Sequence, residues 1–155
     1  MEFLASSQSL FESTCALKGR RLKSEKSKVK RPRRPAPKFP AISEEMRQWS
    51  AMLCSELNAW PRISTKSMFG FLFFYRAGTV FSALPQTRGF NSASSFIVKF
   101  NPMPRALLKR AESDPRMDTN TRLPGKGWFS FQLNSEADLC DALFWLNRAY
   151  EQASK

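Results

Sequence analysis

Hydrophobic positions recur with a helical period at the start of the body of this chain. Ile42, Met46, Trp49, Leu53 and Leu57 fall at steps of four, three, four and four, which is one face of a helix. Ser43 precedes it as an N-cap, and Glu44 and Glu45 sit where acids favour the helix dipole. Trp60-Pro61 ends it, because proline disfavours helical geometry in the residue before it.

The period then shortens. Ser64 to Met68 reads as a short strand, and Phe71 to Tyr75 is apolar on both faces. Arg76-Ala77-Gly78 is a tight turn, and Thr79 to Leu84 returns, so this stretch predicts a β-hairpin. Pro85 to Ser94 is a polar loop carrying Arg88, Gly89 and Asn91. Ser95 to Phe100 is a third strand, with Phe96, Val98 and Phe100 on one face and Ile97 and Lys99 on the other. Pro102 and Pro104 open a helix that runs to about Ser113. Its Leu107, Leu108 and Ala111 face inward; its Arg105, Lys109 and Arg110 face outward.

Asp114 to Lys126 reads as a loop, and Gly127 to Leu133 as a further strand with Phe129, Phe131 and Leu133 on one side. Ser135 caps the last helix, with Asp138 in the capping-box position. Leu139, Leu143, Leu146 and Tyr150 make its buried stripe, supported by Ala142, Ala149 and Ala153. Hairpin neighbours imply an α+β fold: a small, mainly antiparallel sheet of four to five strands with two or three helices packed on it. With 42% hydrophobic and 13% aromatic residues, the core is amply supplied.

The pattern stops N-terminal to residue 41. Residues 1–40 read as a disordered basic arm, and residues 41–155 as the α+β domain. Up to Lys38 there are 11 Lys or Arg against 3 Asp or Glu, a net of +8; the remainder carries 14 against 10, a net of +4. Like charges repel, and Pro32, Pro35, Pro37 and Pro40 block regular structure.

Histidine is absent from all 155 residues. The side chain best suited to proton transfer near neutral pH, and the commonest metal ligand, is therefore missing. No nucleophile, base and oxyanion set converges in the sequence. The composition favours a binding or regulatory protein over an enzyme, with no cofactor, no metal and no small-molecule substrate expected. Cys15, Cys54 and Cys140 are odd in number and form no CxxC pair, so a reducing cytoplasm fits. Cys54 and Cys140 read as buried small hydrophobes. No apolar run is long enough to cross a bilayer, and Met1 to Ala5 lacks the basic start of a secretory signal.

Two stretches carry a family resemblance. Lys66-Ser67-Met68-Phe69-Gly70, followed by Tyr75-Arg76-Ala77-Gly78-Thr79-Val80-Phe81, resembles the TfoX N-terminal domain family. Ile97-Val98-Lys99-Phe100 is similar to that family's next strand. Gly127-Trp128-Phe129-Ser130-Phe131 also resembles the related MmcQ/YjbR-like proteins. The resemblance covers about Met46 to Tyr150 and implies a small α+β unit with a regulatory, DNA-associated role. It implies no catalytic residue.

The basic arm is the strongest functional feature. Lys26, Lys28, Lys30, Arg31, Arg33 and Arg34 are candidate phosphate contacts, since lysine and arginine on phosphate release counterions and bind without regard to sequence. Arg105, Lys109 and Arg110 are a second candidate set, with Arg116, Arg122 and Lys126 in the loop that follows. DNA or RNA is the expected partner. A solvated tail, a misassigned start and an anionic membrane surface are the alternatives for the arm; a membrane partner is not expected for the protein. A homodimer through an aromatic sheet face is the alternative for the body. Phe71, Phe73, Phe74, Phe96, Trp128 and Phe129 could stack bases, but sheet core explains them better. Leu123-Pro124-Gly125-Lys126-Gly127 lacks the spacing of a phosphate loop. Glu44/Glu45 and Asp138/Asp141 are explained by helix starts.

Overall fold

In a computed structural model, residues 38–121 and 125–154 are described. The expectations placed on residues 1–37, including disorder and the six phosphate contacts of the arm, lie outside the described residues.

Helix α1 spans Glu44–Asn58, capped as expected by Ser43, whose hydroxyl accepts from the Met46 amide at 3.1 Å. The chain then makes β1 (Ile63–Met68), β2 (Phe71–Arg76), β3 (Thr79–Pro85) and β4 (Ser95–Lys99). Helix α2 is Arg105–Ser113, followed by β5 (Met117–Asp118) and β6 (Trp128–Gln132). A single 3-10 turn at Glu136–Asp138 leads into α3, Leu139–Gln152. The Ser135–Asp138 capping box is present in both directions.

The six strands form one antiparallel sheet in the order β1-β2-β3-β4-β6-β5. The fold is α+β, with one strand more than expected. The addition is β5, inside the stretch read as a loop: Met117 pairs with Phe131, and Asp118 with Ser130. Two residues are too few to show a period.

The β1–β2 and β2–β3 hairpins turn on two-residue loops, Phe69-Gly70 and Ala77-Gly78. In both loops each residue has positive φ (57° and 85°, then 48° and 84°), the twist-matched form of a tight hairpin. Phe69 is the unusual member: a bulky side chain in left-handed backbone, and 81% exposed.

The helices all pack on one face of the sheet. Phe74, Phe96, Val98, Phe100, Phe129 and Phe131 point into that layer and meet Met46, Leu53 and Leu57 of α1 and Trp145, Leu146 and Ala149 of α3. A bulge between Phe74 and Tyr75 shifts the register, so Ser82 lies opposite Phe74 and Val98. Phe81 and Ser82 both fall on the helical side and both are fully buried. The Ser82 hydroxyl has no hydrogen-bond partner there. Trp145, absent from the expected stripe of α3, is 1% exposed. Leu143, included in that stripe, is only half-buried.

Among the described residues no helix packs on the opposite sheet face. A smaller cluster runs along it: Phe71, Ala83, Phe90 and Ile97, with Phe39, Phe73 and Trp128 packed against them, and Phe39 and Phe90 close its Phe71 end. Phe71 and Phe90 stack at 3.7 Å, and Phe39 meets both edge-on at 5.3 and 5.7 Å. Phe39 and Pro40 had been assigned to the arm. Here Ala41 bridges Arg88, and the Pro40 carbonyl accepts from the Gly89 amide at 2.8 Å. The loop expected over Pro85 to Ser94 thus supplies a core residue, Phe90, and ties down residues 39–42.

Gly127 is required by contact as well as by φ (+88°): a Cβ would drive into the carbonyl of Phe100. Gly78 (φ +84°) has open space around the same atom. Gly78→Ala is therefore expected to cost only the left-handed backbone penalty of about 1–2 kcal/mol. Gly127→Ala is expected to cost clearly more. Urea unfolding of the two variants checks the order; equal losses would contradict it.

Candidate nucleic-acid interface

Of the expected phosphate contacts among the described residues, Arg105 and Lys109 lie one turn apart on α2 and both are exposed. Arg110, although on the same helix, belongs to a different environment. Its guanidinium sits 3.9 Å from the Phe144 ring centroid and 6.0 Å from that of Trp145. It is exposed, as expected, but lies over aromatic faces of α3.

Arg116 is also removed from the expected track. Its guanidinium bonds Asp138 at 2.6 Å and Asp114 and Asp141 at 2.9 Å, and it lies 5.1 Å from the Phe131 ring centroid. Three carboxylates and a ring surround one cation, which joins the end of α2 to the start of α3. The pair Asp138/Asp141 thus does more than complement a helix start. Arg122 lies outside the described residues, and Lys126 is exposed in the approach to β6.

The cluster perturbs its own titration. The hydrogen bond from Arg116 lowers the Asp114 pKa, against an opposing effect of burial. Burial raises the Asp138 pKa, but the Asn134 and Ser135 amides and Arg116 together outweigh it, and the net shift is downward. The hydrogen bonds that Arg116 donates to Asp114 first, then to Asp141, raise its own pKa.

The uncovered end of the second sheet face is the other cationic surface. Strand register fixes its rows. Lys66 lies opposite Phe73, Phe73 opposite Ala83, Ala83 opposite Ile97, and Ile97 opposite Ser130. The next row has Tyr75 opposite Val80, and Lys99 opposite Trp128. Ala83 and Ile97 are fully buried beneath their neighbours, whereas Phe73, Tyr75, Lys99 and Trp128 are half-buried and Lys66 is exposed. The Lys99 ammonium lies 5.3 Å from the Trp128 ring centroid. Among the described residues these strands bring one carboxylate to this face, Asp118, and it already accepts from Asn91 at 2.9 Å and from the Asn120 amide at 2.8 Å.

The aromatic candidates divide accordingly. Phe71, Phe74, Phe96 and Phe129 are core, while Phe73 and Trp128 keep part of their rings in solvent. Tyr75, Lys66 and Lys99 were not singled out as site residues. Their shared face follows from the period-two alternation of β1, β2 and β4, but only the helices' choice of the other face reveals it.

Other chemistry is sparse. Among the described residues no group of three or more Cys, Asp or Glu gathers at metal-binding distance. Arg88 donates to the Phe39 carbonyl at 3.2 Å. A groove of about 300 Å³ lies between α1 and the β2–β3 hairpin, lined by Ala51, Cys54, Leu72 and Leu84 among others; its Ser50 hydroxyl donates to the Pro85 carbonyl at 2.6 Å. The buried reading of the cysteines needs correction: Cys54 is half-buried and Cys140 is exposed. Cys140 follows Leu139 on α3, and one residue turns a helix about 100° away from the buried stripe. Gly125-Lys126-Gly127 runs into a strand, not a helix, which is not the setting of a phosphate loop. No described helix is long and apolar enough to cross a membrane. Comparison with protein-family models, curated proteins and solved structures finds no match to the chain.

Because Asp114 and Asp138 titrate lower in the fold than in the unfolded chain, their stabilisation is complete above the ordinary value of about 3.9. It is lost as pH falls from there through the lower folded values. Arg116→Met is expected to cost about 1–3 kcal/mol at neutral pH and to shrink the loss seen on acidification. Urea midpoints at neutral pH and near pH 3 check this; an unchanged acid loss in the variant would contradict it.

Proposed function

We propose that this chain is a non-enzymatic TfoX-like domain protein with a regulatory role in the cytoplasm, associated with nucleic acid through its basic arm. The observation that carries the reading is the partition of charge: net +8 on the first 38 residues of a chain whose total is +12. Such a segment attracts a polyphosphate backbone by counterion release, irrespective of base sequence. Exposed Arg105 and Lys109, with no carboxylate within 4.0 Å among the described residues, extend the same sign onto the body. In support of the family reading, Met68-Phe69-Gly70 and Ala77-Gly78 fall on the two tight hairpin turns.

A homodimer through the aromatic sheet face is the second reading. The half-buried Phe73, Tyr75 and Trp128 favour it; the lysines beside them oppose it.

Replacing Lys26, Lys28, Lys30, Arg31, Arg33 and Arg34 together by glutamine tests the first reading. On duplex DNA, each lost phosphate contact lowers the slope of log K against log salt by about 0.9. The variant is expected to bind more weakly and with a slope reduced by several units. Equal affinity and equal slope for the two proteins would remove the arm from the function.

A further inference from the structure

We propose that the uncovered end of the second sheet face binds a short run of single-stranded nucleic acid. One base stacks on Trp128 and another on Phe73 or Tyr75, with Lys99 and Lys66 against the phosphates. The inference rests on the nucleic-acid reading of the arm and adds the class of ligand that the body selects.

The first argument is chemical pairing. On this face half-buried aromatic rings alternate with lysines: Lys66 beside Phe73 on neighbouring strands, and Lys99 beside Trp128. Rings offer a surface to any base, and ammonium groups offer charge to the linking phosphates. The Lys99 ammonium lies over the Trp128 ring, 5.3 Å from its centroid, so a base that stacks there displaces it toward the adjoining phosphate.

The second argument is spacing. Trp128 on β6 and Tyr75 on β2 are separated by β3 and β4, which puts their strands roughly 14 Å apart. A single base cannot touch both, so the face takes successive nucleotides. A duplex keeps its base faces within its own stack and cannot use these rings; a single strand presents them.

The third argument concerns a second copy of the chain. A two-fold contact brings each surface patch against itself. Lys66 and Lys99 would then face their equivalents, and Asp118, the one carboxylate available, is already engaged by Asn91 and Asn120. The charge on this face fits an anionic strand better.

The test uses the full chain, a labelled oligothymidine and a duplex of equal length at fixed salt. Trp128→Ala and Lys99→Glu are each expected to weaken oligothymidine binding about tenfold. Trp128→Phe is expected to keep most of the affinity, and duplex binding is expected to change little in all three. If Trp128→Ala fails to fold, Lys99→Glu at an accessible ammonium carries the test alone. Oligothymidine binding unaltered by the substitutions, or lowered equally with duplex binding, overturns the single-strand site while leaving the arm's role standing. Binding of neither nucleic acid by the unaltered chain overturns both readings. A mass that doubles with concentration and reverts on Trp128→Ala assigns the face to a second copy and overturns this inference.

Discussion

A sheet has two faces, and the three helices among the described residues cover only one. Most other features follow from that imbalance. The helical side takes the large rings of β2, β4 and β6 against α1 and α3, and it forms the principal core. The other side must be closed by what remains. Phe90 from the β3–β4 loop and Phe39 from the entry segment cap Phe71 at one end. Among the described residues nothing equivalent covers the other end, where Phe73, Tyr75, Lys99 and Trp128 stay partly in solvent. Burial of Ala83 and Ile97 there is achieved by their neighbours leaning over them. The face is thus stable without a partner and still offers rings to one.

The placement of cations obeys a similar logic. Net charge locates a tendency, but local geometry decides which cations are available. Arg116 counts fully in the sum and contributes little to an outward field, whereas Arg110 is exposed. Arg110 lies over the rings of α3, and Arg116 is enclosed by three aspartates. Both link α2 to α3 over the strand end where β5 pairs with β6. Arg105, Lys109 and Lys66 are not held in that way, Lys99 lies over the Trp128 ring, and the four stand on two different surfaces.

Much of the fold was legible because its elements are long enough to show a period. Met46, Leu53 and Leu57 of the expected α1 stripe, the Ser43 cap, the alternation of Ser95 to Phe100 and the Ser135–Asp138 box occur where the residues predict them, while Ile42 precedes the helix and Trp49 is half-buried. What escaped is tertiary in origin. β5 exists because two residues happen to lie beside β6, and no periodicity marks them. Phe90 looks like a lone apolar residue in a polar loop until Phe71 is seen beneath it. Trp145 lies three residues after Ala142 and four before Ala149, so it widens the buried stripe of α3 on its alanine side. The site was legible only as residue types: lysines and aromatics alternate along the strands, but which alternation faces solvent depends on which side the helices chose.

Photo-cross-linking of an oligothymidine to the full chain, with adducts mapped by mass spectrometry, tests the central claim most directly. The account predicts adducts at Trp128 and within Phe71–Arg76, on the sheet face that no helix covers. Adducts confined to residues 1–37 and to α2 would contradict it, because the strand would then be held by charge alone and the open face would have another purpose.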